Sequence, residues 1–196
     1  MTWCIGLALV GVLAGGGHSA AAVRAAGSWG RAVEVPGLGA LNKGGVAEVF
    51  QVSCGSAGSC AAGGYYRDRH GHGQGFVVSE RNGVWGRAVE VPGLGALNKG
   101  ERAQVLSVSC SPRRNCAAGG FYRDGDGHQQ GFVVSERNGV WGRAIEVPGL
   151  AALNAGGTAG VVSVSCASAG NCAAAGDYLT VDLLLTHGHA DTPSAH

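Results

Sequence analysis

Trp29-Gly30-Arg31-Ala32-Val33-Glu34-Val35-Pro36-Gly37-Leu38 recurs unchanged at residues 85–94, and at 141–150 with one difference, Ile145 in place of Val33 and Val89. The tryptophans are 56 residues apart each time (29 to 85, 85 to 141), and the cysteine pairs Cys54/Cys60, Cys110/Cys116 and Cys166/Cys172 keep the same interval. A fixed period of this size marks a repeat architecture, in which each period is one supersecondary unit that cannot bury its apolar face alone.

One period reads as four short strands. Ala47–Cys54 alternates, placing Phe50, Val52 and Cys54 on one face and Gln51 and Ser53 on the other; the copies use Leu106, Val108 and Cys110, then Val162, Val164 and Cys166. Alternation of period two signals a half-buried strand. After a Gly/Ser-rich turn, Cys60–Asp68 forms the second strand, ending in Tyr65 and Tyr66 (Phe121 and Tyr122 in the next copy), and beyond a polar Gly/His loop Gly75–Glu80 forms the third. Asn82-Gly83 and Asn138-Gly139 are strong hairpin signals, because both residues tolerate the positive φ of a type I′ turn. Trp85–Val91 is the fourth strand, stopped by Pro92-Gly93, and residues 92–102 form a longer Gly-rich link.

Three tight connections and one longer exit describe a four-stranded meander, the plan of a propeller blade. The expected fold is therefore all-β: tandem four-stranded antiparallel β-meander repeats, propeller-like and incomplete, with a threefold β-trefoil or prism as the alternative. Within a repeat domain at 27–178, a partial unit (29–46) precedes units 47–102 and 103–158, and a first hairpin at 159–178 follows. Beyond Tyr178 the pattern supplies no third or fourth strand, so 179–196 is read as a divergent, unstructured tail. A propeller needs at least about four blades to close, so open sheet edges and self-association through them are expected.

Composition agrees. The 196 residues include 37 glycines, which suits a turn-dense β chain and not a helical one. A formal charge of +1 from 14 basic and 13 acidic residues offers no electrostatic case for nucleic acid or an anionic membrane. Residues 1–26 read as a signal peptide, with an apolar run at 3–14 and Ala20-Ala21-Ala22 as a cleavage site, although residues 1–3 hold no Lys or Arg. The run is too short to span a bilayer, so no stable transmembrane segment is expected. Of seven cysteines, Cys4 falls within this segment. The other six form three Cys-x5-Cys pairs whose spacing matches no zinc site and permits local disulfides, pointing to a secreted or cell-envelope protein.

The motifs Ser-Val-Ser-Cys-x5-Cys-Ala-Ala-Gly-Gly-(Tyr/Phe)-Tyr, Gly-Phe-Val-Val-Ser-Glu and Trp-Gly-Arg-Ala-(Val/Ile)-Glu-Val-Pro-Gly cover residues 29–178. They resemble the Cys- and Gly-rich, propeller-like repeats of uncharacterised secreted bacterial proteins, a resemblance that carries no chemistry with it. The stretch Val181-Asp-Leu-Leu-Leu-Thr-His187-Gly-His189-Ala-Asp191 resembles the metallo-β-lactamase-fold motif. That resemblance implies zinc ligation by His187 and His189 and a second site at Asp191, but Thr192 stands where the next histidine belongs.

Elsewhere the polar residues do not converge. Asp68…His72 and Asp124…His128 occupy the same loop in successive units and are read as solvated tips, since they lack the ligand set of a calcium loop. Glu34, Glu90 and Glu146 supply one carboxylate per unit, which is no acid–base pair. Trp29, Trp85 and Trp141 are read as packing between units, whereas Tyr65, Tyr66, Phe121 and Tyr122 are read as possible surface contacts. The expected function is a secreted, non-enzymatic scaffold or binding module, without cofactor, whose extracellular partner the sequence does not name. A metal-dependent hydrolase read from His187, His189 and Asp191 is one alternative, and a truncated fragment without independent function is another.

Overall fold

The computed structural model describes residues 30–112 and 115–179, and the backbone of 181–187. The segment read as a signal peptide, Cys4, Trp29, His189 and Asp191 lie outside the described residues. From Val33 onward the chain forms one compact unit of three antiparallel sheets.

The first sheet holds β1 (Ala47–Ser56), β2 (Ser59–Arg67), β3 (Gly73–Arg81), β4 (Val84–Trp85) and β5 (Val89–Glu90). The second repeats it with β6 (Ala103–Ser111), β7 (Asn115–Arg123), β8 (Gln129–Arg137), β9 (Val140–Trp141) and β10 (Ile145–Glu146). The third has β11 (Ala159–Ser168), β12 (Asn171–Tyr178) and β13 (Val181–His187). Each is a meander in chain order, and the whole is an incomplete, propeller-like all-β stack. At the β3–β4 turn Asn82 and Gly83 both have positive φ (51° and 79°), as a type I′ turn requires.

Four features correct the sequence reading. The fourth strand is broken: Glu80 pairs with Trp85 and Val77 with Val89, a slip of one residue. Within the break the Ala88 N–H turns away to the Pro36 carbonyl (2.7 Å), as Ala144 does to Pro92 (2.8 Å). The link between units is not loose. It contains a single helical turn, α1 (Leu38–Leu41), α2 (Leu94–Leu97) or α3 (Leu150–Leu153). Buried Asn98 at the end of α2 donates from Nδ2 to the Gly73 carbonyl and to Gln74 Oε1 (both 3.1 Å), and its Oδ1 accepts the Arg102 N–H (2.8 Å). This ties the link to the third strand.

The third correction concerns the first strand of each unit, which carries a bulge. Val49 pairs with Gly64 and Gln51 with Gly63, leaving Phe50 as the extra residue; Leu106 and Val162 stand in the same position. An inserted residue reverses the alternation beyond it. The buried pair is therefore Val105 with Val108, three apart, and not Leu106 with Val108. At the bulge the two backbones close in. A Cβ on Gly64, Gly120 or Gly176 would overlap the carbonyl of Glu48, Gln104 or Gly160, so this position admits no side chain.

Lastly, residues 181–187, read as part of an unstructured tail, form a strand, while 188–196 lie outside the described residues. β13 pairs with β12 through a two-residue connection where the second unit has the five-residue loop 124–128. Leu184 faces Ala175 as Val133 faces Gly119, so the third strand is present, displaced in sequence by 51 residues instead of 56.

The core lies between sheets. Ala61, Val77 and Leu94 of the first unit share one cluster with Val105, Val108, Ala118 and Val134 of the second, while Ala62 and Val78 face back onto Leu38. The doublets Ala61-Ala62 and Val77-Val78 thus serve two seams, because the first sheet packs forward on the second and back on the Leu38 segment. Polar side chains cross the same seams. Gln51 Oε1 accepts the Val108 N–H (2.9 Å) and Ser53 Oγ that of Cys110 (3.0 Å); Ser107 and Ser109 do the same for Val164 and Cys166.

Gly120→Ala is expected to destabilise the fold by about 2–3 kcal/mol, the cost of forcing packed backbones apart. Gly125→Ala, whose added methyl would meet only Lys99 Cβ at 3.6 Å, should stay within about 0.5 kcal/mol of the parent. Urea unfolding curves on both variants check the difference.

Candidate functional site

The three cysteine pairs are disulfides: Cys54–Cys60, Cys110–Cys116 and Cys166–Cys172. Each joins directly opposed residues of the first two strands of a unit. Closing so short a loop contributes about 2 kcal/mol in the chain-entropy view.

Of the four aromatic residues read as surface contacts, three are buried. Tyr66 and Tyr122 lie in the seams at 3% and 2% exposure. The reason is a partner that the linear pattern hides: the Tyr66 hydroxyl donates to Glu90 Oε2 (3.0 Å) and the Tyr122 hydroxyl to Glu146 Oε2 (2.7 Å). The carboxylate that recurs once per unit therefore satisfies a buried phenol. Phe121 is covered by the next sheet and by the Arg102 guanidinium, 5.6 Å from the ring centre. Only Tyr65 keeps a partly open face. It stacks on Phe50 (ring centres 5.7 Å apart) and donates to Glu48 Oε1 (3.2 Å). Phe50, assigned to the core by alternation, is 42% exposed because it is the bulge residue. The deviation from alternation could be found only by seeing that Val49 and Val52 are the better core pair.

The loops at Asp68 and Asp124 are held from within. Asp68 Oδ1 accepts the N–H groups of His70 (2.8 Å) and His72 (3.0 Å), and Asp124 Oδ1 those of Asp126 (3.0 Å) and His128 (2.8 Å). Partial burial pushes these carboxyls up, but the donors outweigh it and both end below the usual carboxylate range. Their contribution to stability is present above about pH 4 and is lost as pH falls through the lowered value. These aspartates are loop clamps. His72 Nε2 also meets Glu101 Oε2 of the link (3.0 Å).

Trp141 fills a seam, as read from the sequence. Its Nε1 donates to Ser79 Oγ of the preceding unit (2.9 Å), and Ser79 donates to buried Glu136 Oε1 (2.6 Å). Ser79 and Trp141 border a cavity of about 550 Å3, and one period later Ser135 borders one of about 440 Å3 between the second and third units, with Val133, Val134, Val140, Ile145 and Ala174. His187 ends β13 opposite Cys172; the other two residues of the zinc-like motif are not described. Among the described residues no three His, Cys, Asp or Glu side chains gather as a metal site would need, and no helix is long and apolar enough to cross a membrane.

On the outer face of the first unit Val49 and Val52 are 46% and 57% exposed.

Burial above all, with the charge and acceptance of Glu90 and Glu146, pushes the Tyr66 and Tyr122 phenols far above the usual value of about 10. A raised folded-state value stabilises fully below pH 10 and is lost as pH rises beyond it. In an alkaline absorbance titration, two of the four tyrosines should ionise only together with unfolding. Tyr66→Phe and Tyr122→Phe should remove that delayed step. No protein-family model matches the sequence, and comparison with curated proteins gives no match.

Proposed function

We propose that this chain is a secreted, non-enzymatic repeat scaffold that works by binding through the outer face of its first unit. The observation that carries the reading is the pair Val49 and Val52 on β1, 46% and 57% exposed on the outer face of the first unit. The counterparts of Val49 and Val52 are buried one and two periods later: Val105, Val108 and Val161 are at most 1% exposed and Val164 is 8%. A surface built of core residues binds by excluding water, at about 25 cal/mol per Å² of apolar area. Support for a non-catalytic role comes from where the recurring polar groups go. The seam acceptors Gln51, Ser53, Ser107 and Ser109, the buried asparagines and the Tyr–Glu pairs are engaged in joining strands and units. Support for secretion comes from the three disulfides, which persist in oxidising compartments, together with the signal-like residues 1–26.

Protein recovered from the secreted fraction should begin near Val23 and gain the mass of six hydrogens on reduction, one pair for each disulfide. Intact-mass spectrometry with and without reductant reads both. Free thiols on an uncleaved chain retained in the cell would overturn the secretory reading. Stoichiometric zinc lost in the His187→Ala/His189→Ala variant would instead favour the hydrolase.

A further inference from the structure

We infer that the partner of this face is a second copy of the chain, joined head to tail so that its first unit and entering strand continue the stack beyond the third unit. The inference rests on the binding face proposed above and names its occupant. The two internal seams show what such a joint looks like, and the two ends of the stack carry its complementary halves.

At one end stand Val49 and Val52, which occupy the places of Val105 and Val108. At the other stand Ser163 and Ser165, exposed, in the places from which Ser107 and Ser109 accept the N–H groups of Val164 and Cys166. Stacking a second copy would bring its Val52 and Cys54 N–H groups to Ser163 and Ser165, the same pairing a third time.

The edges match as well. β13 is paired with β12 alone, and the third sheet has no counterpart of β10 among the described residues. Residues 33–34 carry the sequence of β5, Val-Glu, but belong to no strand, and Val33 is 79% exposed. Yet the residues that follow already sit on the first unit as their copies sit on the second. Pro36 takes the Ala88 N–H as Pro92 takes that of Ala144, and Leu38 is buried as Leu94 is. Among the described residues no third strand of a preceding unit lies beside the entering strand, and β13 is such a strand. The register carries over: Glu90 opposes Phe76 and Val89 opposes Val77, so Glu34 and Val33 of one copy would oppose Leu183 and Leu184 of the other.

One residue makes this joint weaker than the internal seams. Gly63 and Gly119 lie against Val105 and Val161 so closely that a Cβ there would press into the valine. The third unit has Ala175 at this position. The extra methyl faces the incoming Val49, so association is reversible and not permanent. Because the contact is heterologous, copies add in series and form either rings or open rows.

Sedimentation velocity on the full chain, from low to high micromolar concentration, tests this. The expected result is a concentration-dependent series of species. Ala175→Gly should lower the concentration of onset by about tenfold, the effect of relieving one overpacked methyl. Val49→Lys/Val52→Lys should stay monomeric, with its three disulfides and β-sheet circular dichroism intact. A parent chain that is monomeric throughout overturns the inference, as does association indifferent to both variants. Either outcome leaves the secretion and thiol results of the preceding proposal standing, so the two fail separately.

Discussion

A sheet with apolar side chains on both faces has no core of its own. In this chain Ala61 and Val77 look forward while Ala62 and Val78 look back, so the first unit is solvent-free only when something lies on each side. The dependence is mutual, since Val105 is buried by the first unit and in turn helps to bury Val77. Stability in such a stack comes largely from nearest-neighbour seams, and the units cannot be ranked as separate domains. Everything else in the structure serves this constraint. The glycine opposite the bulge lets two strands approach, and the helical turn ending in Asn98 fixes the spacing between one sheet and the next.

The seams are not purely apolar. The seam between the first two units buries the Tyr122–Glu146 pair, and each seam between units takes two backbone N–H groups onto side chains of the neighbouring unit. Such groups are costly if left without partners and contribute modestly when satisfied. Their effect is on register: a seam displaced by one residue would leave several buried donors and acceptors unmet at once. The apolar contacts hold the sheets together, and the polar ones decide where.

Much of this was legible in the linear pattern, because it depends on local chemistry. The 56-residue period set the unit, Asn82-Gly83 set a hairpin, and six evenly spaced cysteines set three cross-links. What escaped depends on relations between distant residues. Alternation assigned Phe50 to the core because a bulge leaves no composition signal in a strand rich in valine. The linear pattern reads Tyr66 and Tyr122 as surface residues because their acceptors lie 24 residues further on, across the sheet. The strand β13 was missed because it arrives five residues early, through a shorter connection, with Leu183-Leu184-Leu185 in place of Phe132-Val133-Val134. The proposed binding face is hidden for a related reason: Val49 and Val52 look like any core valines until one sees that no described sheet lies over them.

The position of the disulfides bears on how the chain finds this arrangement. Near-identical repeats create a degenerate search, since a strand from one unit could pair as well with its copy in another, and adjacent repeats are prone to such exchange. Each cross-link here closes a hairpin of adjacent strands, six residues apart in sequence. Each bond therefore fixes which strand is the partner of which within its own hairpin, identically in every unit. It leaves open which hairpin becomes whose neighbour, so the order of the stack is inherited from chain connectivity alone.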